Sequence, residues 1–311
     1  MRILLVAEDA PGIQILKALH QGGSEIVGVV AKEQRSSDRG ATTWATADRL
    51  GVRRWPAERV MDPSFGEEIL EAGVDLLLNA YSLFIISDRV VEAPRIGSYN
   101  LHPGPLPAYA GLNSPSWAIL RGEVDHGVTV HRMERIVDTG PIAYRSTFPI
   151  QPGETGLELS IRCIRVGVDL MMRLVDTAAR DPSEIPAIPQ DLSMRRYFGG
   201  EIPYQGRISW SLRAKQVCDF VRACDFHPFE SPWGTPTALI AGREFGVAKA
   251  IPSGIPRRDA SPGSAQPSED GSLLVACADE WIEIPTLVDH GTRRRGYEAL
   301  GSARGHPIPP E

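Results

Sequence analysis

Arg2-Ile3-Leu4-Leu5-Val6-Ala7, then Pro11-Gly12, then Ile13, Leu16 and Leu19, then Ile26-Val27-Gly28-Val29-Val30: this opening stretch decides the fold. The two apolar runs are short and rich in branched residues, which suits strands, and Pro11-Gly12 punctuates between them. The apolar positions in between recur near helical spacing. Strand, helix, strand in that order makes βαβ the simplest reading and a parallel sheet its consequence.

The alternation continues outward. Residues 44–50 and 65–72 read as helices, and Val74-Asp75-Leu76-Leu77-Leu78 reads as a strand covered on both faces, because its apolar run is nearly continuous. Ser98-Tyr99-Asn100-Leu101-His102 is a short strand that runs into Pro103-Gly104-Pro105-Leu106-Pro107, where three prolines forbid helix and remove sheet donors. A helix over residues 114–121, a strand around Val128 and Val130, a turn at Asp138-Thr139-Gly140 and a strand over 142–150 follow. A long helical pattern over 156–179 closes a first domain, residues 1–180. Residues 181–206 have the Pro- and Gly-rich composition of a linker or a draped crossing segment. Beyond it, the runs Thr237–Ile240 and Leu273–Ala276 read as short strands, a helix is expected near 212–223, 252–271 is loop-like, and the sequence shows no internal repeat and no extended low-complexity segment. The expected architecture is α/β: an N-terminal Rossmann-like, mostly parallel sheet, with a smaller, mostly β domain over 207–311.

Composition narrows the function. The 311 residues carry 33 basic and 39 acidic side chains, a net charge of −6, which excludes attachment to nucleic acid or anionic membrane by bulk charge. No apolar run approaches the roughly 20 residues needed to span a bilayer, and the opening run meets Glu8-Asp9 too soon for a signal peptide. The expectation is a cytoplasmic protein without a membrane partner. Cys163, Cys218, Cys224 and Cys277 are scattered, with no C-x-x-C pair and no histidine at ligand spacing, so they read as reduced, packed thiols.

The chemistry is concentrated between Asn100 and Gly140. Asn100 and His102 lie two apart on a strand, so their side chains leave the same face, at the carboxyl end where open α/β sheets place ligands. Asp138 stands at the junction of two later strands. An amide donor for a developing oxyanion, an imidazole that titrates near neutrality and a carboxylate that fixes its tautomer make a complete set for acyl transfer. Each also has an ordinary use: Asn100 as a capping amide, His102 as a satisfied surface histidine, Asp138 as a turn former. Phosphate-binding glycine loops and a nucleophile elbow are absent. His131, in the strand run Val128-Thr129-Val130-His131, is a competing imidazole for which a packed or hydrogen-bonded role is expected.

Ser98-Tyr99-Asn100-Leu101-His102-Pro103-Gly104-Pro105-Leu106-Pro107 resembles the N-x-H-x-x-x-L-P segment of the 10-formyltetrahydrofolate-dependent formyltransferases. The likeness runs on through Trp117-Ala118-Ile119, Gly122-Glu123, Gly127-Val128-Thr129-Val130-His131-Arg132-Met133 and Asp138-Thr139-Gly140-Pro141-Ile142. Gly206-Arg207-Ile208-Ser209-Trp210 is similar to the segment that opens the family's C-terminal module, a small OB-like barrel, and Pro262-Gly263-Ser264 and residues 271–277 fit its strands. The resemblance implies an N-formyltransferase with 10-formyltetrahydrofolate as co-substrate and no metal. It makes Asn100 the oxyanion donor, His102 the proton-transfer residue and Asp138 the carboxylate that tunes it. It also implies a folate slot contributed by Leu83, Phe84, Ile85 and Ile86, by Leu106, and by Arg135, Ile136, Val137 and Asp138.

The acceptor is where the sequence departs. The family's tyrosine-arginine-glycine step is here Tyr109-Ala110-Gly111, and its next arginine falls at Leu112. Gly111-Leu112-Asn113-Ser114-Pro115 resembles the variant of small-amine enzymes instead. Residues 207–311 hold 12 basic and 13 acidic side chains, without the basic stripe a tRNA-binding domain needs, and Arg293-Arg294-Arg295 reads as a solvated turn. The expected partners are folate and a small-molecule amine, most often an amino-sugar nucleotide, rather than nucleic acid. Methionyl-tRNA formyl transfer and a catalytically silent folate-binding or interaction protein are the alternatives.

Overall fold

In the computed structural model, which describes residues 1–33 and 41–301, the opening βαβ reading is met by β1 (Arg2–Ala7), α1 (Asp9–Gln21) and β2 (Glu25–Ala31). The chain continues through α2 (Thr43–Arg49), β3 (Arg54–Pro56), α3 (Phe65–Glu71), β4 (Leu76–Ala80), α4 (Asp88–Glu92) and β5 (Gly97–His102). It then forms β6 (Ala110–Gly111), α5 (Ser114–Leu120), β7 (Asp125–Arg132), β8 (Ile142–Pro149) and α6 (Gly156–Arg180). The main sheet has the order β3-β2-β1-β4-β5-β7-β8. Its first five strands are mutually parallel, and β7 returns antiparallel to β5. The chain winds from β1 outward to β3, then restarts on the other side of β1 with β4, which places a switch point at the β1–β4 junction.

Side-chain alternation explains why both faces are covered. Ile3, Leu5 and Ala7 of β1 face a core completed by Ile15, Leu16 and Leu19 of α1 and by Met171, Leu174 and Val175 of α6. Leu4 and Val6 face the opposite core, with Phe65 and Ile69 of α3 and Val90 of α4. Burying each such side chain contributes about 1.5–3 kcal/mol, and the two cores together hold β4 and β5 rigidly enough to present side chains at their carboxyl ends.

Two compact units divide the chain: Met1–Gly111, His126–Phe148 and Ile161–Tyr197 form the first, and Leu112–Asp125, Pro149–Ser160 and the chain from Phe198 onward form the second. Residues 182–197, expected as linker or draped segment, are ordered against the first unit: Ile188 exchanges backbone hydrogen bonds with Ile142 at 2.8 and 3.0 Å. The two residues of β9 (Tyr197–Phe198) fall on either side of the division, and the second unit contains α7 (Ala214–Ala223) and an antiparallel sheet. That sheet comprises β10 (Thr237–Ile240), β11 (Arg243–Pro256), β12 (Ala265–Pro267), β13 (Leu273–Ala276), β14 (Glu280–Asp289) and β15 (Thr292–Arg295). It is the expected small β module, an antiparallel half-barrel. Two local expectations are corrected. The loop-like stretch 252–271 holds the end of β11 and all of β12, because register shifts around Lys249, Ile251 and Pro252 absorb the prolines within a paired strand. Arg293-Arg294-Arg295 is not a turn but part of the exposed strand β15, paired with β14. No helix among the described residues is long and apolar enough to cross a membrane.

Candidate active site

Asn79 of β4 stands opposite Asn100 of β5, and Asn100 opposite His131 of β7, so three adjacent strands present one lateral row of polar side chains. Asn79 Nδ2 donates to Asn100 Oδ1 at 2.9 Å, and Asn100 Nδ2 lies 3.2 Å from His131 Nε2. His102, two residues further along β5, is 3% exposed and leaves the same face. The loop between β7 and β8 brings Asp138 against this row in a left-handed conformation, φ 60°, which a short polar side chain tolerates.

Asp138 is the hub. Its Oδ2 accepts the Gly111 N–H at 2.8 Å and faces His102 Nδ1 at 3.5 Å, while Oδ1 faces His131 Nε2 at 3.3 Å and Asn100 Nδ2 at 3.5 Å. Burial pushes its carboxyl up, but the two imidazoles and the Gly111 N–H outweigh burial and hold it below the usual carboxylate range, ionised at neutral pH. Each ring already gives its far N–H to a backbone carbonyl: His102 Nε2 to Tyr109 O at 2.5 Å, His131 Nδ1 to Arg132 O at 2.9 Å. A carbonyl can only accept, so neutral His102 turns a bare Nδ1 toward Asp138. Burial lowers the His102 pKa, with the Asp138 carboxylate opposing it. A proton taken up by His102 therefore converts a lone-pair contact into a charge-assisted hydrogen bond to Asp138.

The Asp138 loop is held from outside the sheet by residues of the segment whose composition reads as a linker. Gln190 Nε2 donates to the carbonyls of Asp138 at 3.1 Å and Gly140 at 2.6 Å, and the Arg195 guanidinium donates to Val137 O at 3.1 Å. The Arg196 N–H reaches Pro107 O, and Arg196 O accepts from Ala110 in the β6–β9 pairing. At the end of the same loop a Cβ on Gly140 would run into the Arg132 carbonyl oxygen. Gly140→Ala is expected to cost about 1–3 kcal/mol of stability, read from the urea midpoint of unfolding.

The other expected site residues divide by environment. Leu83, Ile85, Ile136 and Val137 expose 69%, 77%, 64% and 48% of their surface, the first two on the loop after β4 and the others on the loop between β7 and β8. Phe84 packs part-buried against the α3–α4 core, Ile86 lies within that core, and Leu106 is enclosed with Ala110 and Ile142. Arg135 is exposed, with its Nε 3.7 Å from Asp88. It also lines a cavity of about 410 Å³ with Val91, Met133 and Glu134. A cavity of about 430 Å³ lined by Arg95, Tyr99, Arg132 and the 182–187 segment includes none of the cluster residues. Among the described residues no group of His, Cys, Asp and Glu has metal-binding geometry.

Beneath the proline loop, His126 Nε2 donates to Pro103 O at 2.9 Å. Burial lowers its pKa to about 4, against that hydrogen bond. The unfolded chain, with a histidine pKa near 6.5, binds the proton more readily, so stability is full above about pH 6.5 and is lost as pH falls toward 4. His126 alone is expected to lower the unfolding free energy by about 1 kcal/mol from pH 7 to 5.5, and His126→Phe should remove that share of the slope.

Residues 1–175 match the family model described as "Formyl transferase", and residues 202–300 the model described as "Formyl transferase, C-terminal domain". A methionyl-tRNA formyltransferase of Sorangium cellulosum is 31% identical over 91% of this chain and 90% of its own length. One from Chlorobium luteolum is 28% identical over 98% of this chain and 96% of its own. Among solved structures, the N-formyltransferase from Helicobacter canadensis, in complex with folinic acid and dTDP-3-aminofucose, superposes with a TM-score of 0.70 at 16% identity, covering 91% of this chain and 97% of its own.

Proposed function

Because the chain belongs to the formyl transferase family, we propose that it moves the formyl group of 10-formyltetrahydrofolate to the primary amine of a small acceptor, most often an amino-sugar nucleotide. The convergence of Asn100, His102 and Asp138 on one buried point carries this reading. As the amine nitrogen bonds to the formyl carbon, negative charge grows on the formyl oxygen, and the Asn100 amide is the donor for it. Such donors are worth roughly 2.7–4 kcal/mol where they have been removed. The amine sheds a proton, the bond from the formyl carbon to the folate nitrogen breaks, and that nitrogen gains a proton. His102, backed by Asp138, holds the proton between these steps. His102 Nε2 is engaged by the Tyr109 carbonyl, so the amine takes that carbonyl's place while the ring proton moves to Nδ1 against Asp138, which leaves Nε2 bare to accept the amine's proton. The exposed Leu83, Ile85, Ile136 and Val137 supply apolar surface suited to a pterin and its linker.

A small acceptor is favoured by Ala110 and Leu112 at the family's arginine positions and by the balanced charge of residues 207–311. The full-length likeness to methionyl-tRNA formyltransferases favours a second reading, with charged initiator tRNA as acceptor. Release of tetrahydrofolate from 10-formyltetrahydrofolate is to be followed with amino-sugar nucleotides and with methionyl-tRNA in parallel. Turnover with a small amine alone supports the first reading. Turnover only with charged tRNA sinks it, and folate binding without turnover on any amine makes the protein a folate binder.

A further inference from the structure

Asn79 is the polar residue that ends the apolar run of β4, after Leu76, Leu77 and Leu78. It is 7% exposed, and while its Nδ2 donates to Asn100 Oδ1, its own Oδ1 is buried with no hydrogen-bond partner among the described residues. A buried, half-satisfied amide is a poor way to stabilise a strand that an aliphatic residue would suit. What the contact does is orient its neighbour. An asparagine amide can face a site with either end, and the oxyanion role of Asn100 requires its NH2 to face inward. On one side Asp138 Oδ1, at 3.5 Å, is an acceptor and calls for the Asn100 NH2. On the other, Asn79 Nδ2 is a donor and calls for the Asn100 carbonyl.

We propose that Asn79 is a positioning residue that locks the Asn100 amide in its donor-inward orientation; the proposal rests on the formyl-transfer reading above. Of the two hydrogens on Asn100 Nδ2, one faces His131 Nε2 at 3.2 Å and the other makes only the longer 3.5 Å contact to Asp138 Oδ1, which the formyl oxygen replaces as charge develops on it. Asn79 touches no reacting atom. Its effect passes through Asn100 and belongs to kcat rather than to co-substrate affinity.

Two substitutions test it. Asn79→Leu removes the donor at every pH, and kcat is expected to fall about ten- to a hundredfold, less than the hundred- to thousandfold for loss of an oxyanion donor itself. KM for 10-formyltetrahydrofolate stays within about threefold of wild type, since the contact being lost strengthens only in the transition state. Asn79→Asp is isosteric, with a carboxyl whose pKa burial raises. Ionised, it is an acceptor only and turns the Asn100 carbonyl away; protonated, it donates again. The N79D kcat relative to wild type should therefore match N79L at pH 9 and approach wild type at pH 6. N79L within about twofold of wild type overturns the lock, and so does N79D tracking N79L at both pH values. If the wild type transfers formyl to no amine, the functional reading fails separately. The lock is then read from the Asn100 side-chain NH2 signals of 15N-asparagine-labelled protein: those of N79D and wild type differ at pH 9 and converge at pH 6, and signals that coincide at both overturn it.

Discussion

His102→Ala is expected to lower kcat by about two to four orders of magnitude, the range for losing a positioned general acid–base group, with a folded protein by circular dichroism. The size of the effect follows from the protonation geometry. His102 is buried, its far nitrogen is held by the Tyr109 carbonyl, and its near nitrogen faces an ionised Asp138 at 3.5 Å. A water entering the space left by the ring is a far weaker base than imidazole and lacks its fixed position against Asp138. Asp138→Ala should lose comparably. It removes the carboxylate that makes the His102 cation tolerable, and it leaves the Gly111 N–H without its acceptor. The pH profile carries an independent sign. Because burial lowers the His102 pKa, its neutral, proton-accepting form persists below the ordinary histidine value of about 6.5. The acid limb of kcat should therefore lie below that pH in the wild type and vanish from what activity remains in His102→Ala. Near-native turnover in either purified variant would remove this mechanism.

How much of this was legible beforehand depends on which residues carry the signal. The parallel sheet could be read because β1 and β4 are covered on both faces, so their apolar runs are unbroken and distinctive. Asn100, His102 and Asp138 could be nominated because a spacing of two on a strand and a turn acid are local patterns. The rest of the cluster is set by register between strands, which no local pattern encodes. The strand run around His131 implies a packed or hydrogen-bonded role, and it is hydrogen-bonded, but its pairing opposite Asn100 places it on the Asp138 carboxylate. Asn79 had a signal, one polar residue in an apolar strand, whose meaning appears only with the β4–β5 register. Gln190 and Arg195 lie in a segment without periodicity, and their contacts are to backbone carbonyls about fifty residues away in sequence. In the second unit, strands interrupted by proline and bulges read as loop because alternation, the local cue for a half-exposed strand, is broken there.

Asn100→Ala should lower kcat by about a hundred- to a thousandfold, the loss found when one preorganised oxyanion donor is deleted. It should leave KM for 10-formyltetrahydrofolate nearly unchanged, because the expected co-substrate surface at Leu83, Ile85, Ile136 and Val137 is untouched. The split between kcat and KM matters, since Asn100 also touches His131 and Asp138 and could be argued to act only by holding them. A purely structural role would disturb the Asp138–His102 geometry, shift the acid limb of the pH profile and lower stability together. An oxyanion role leaves the limb where it is and lowers the plateau, because charge on the formyl oxygen develops only in the transition state. The Asn79 lock adds a second discriminant. If Asn100 acts through its NH2, Asn79→Leu has little further effect once Asn100 is alanine, and the double variant should lose about as much as Asn100→Ala alone. Full multiplication of the two losses would instead mean that Asn79 and Asn100 act independently, and the oxyanion assignment would lose its structural support.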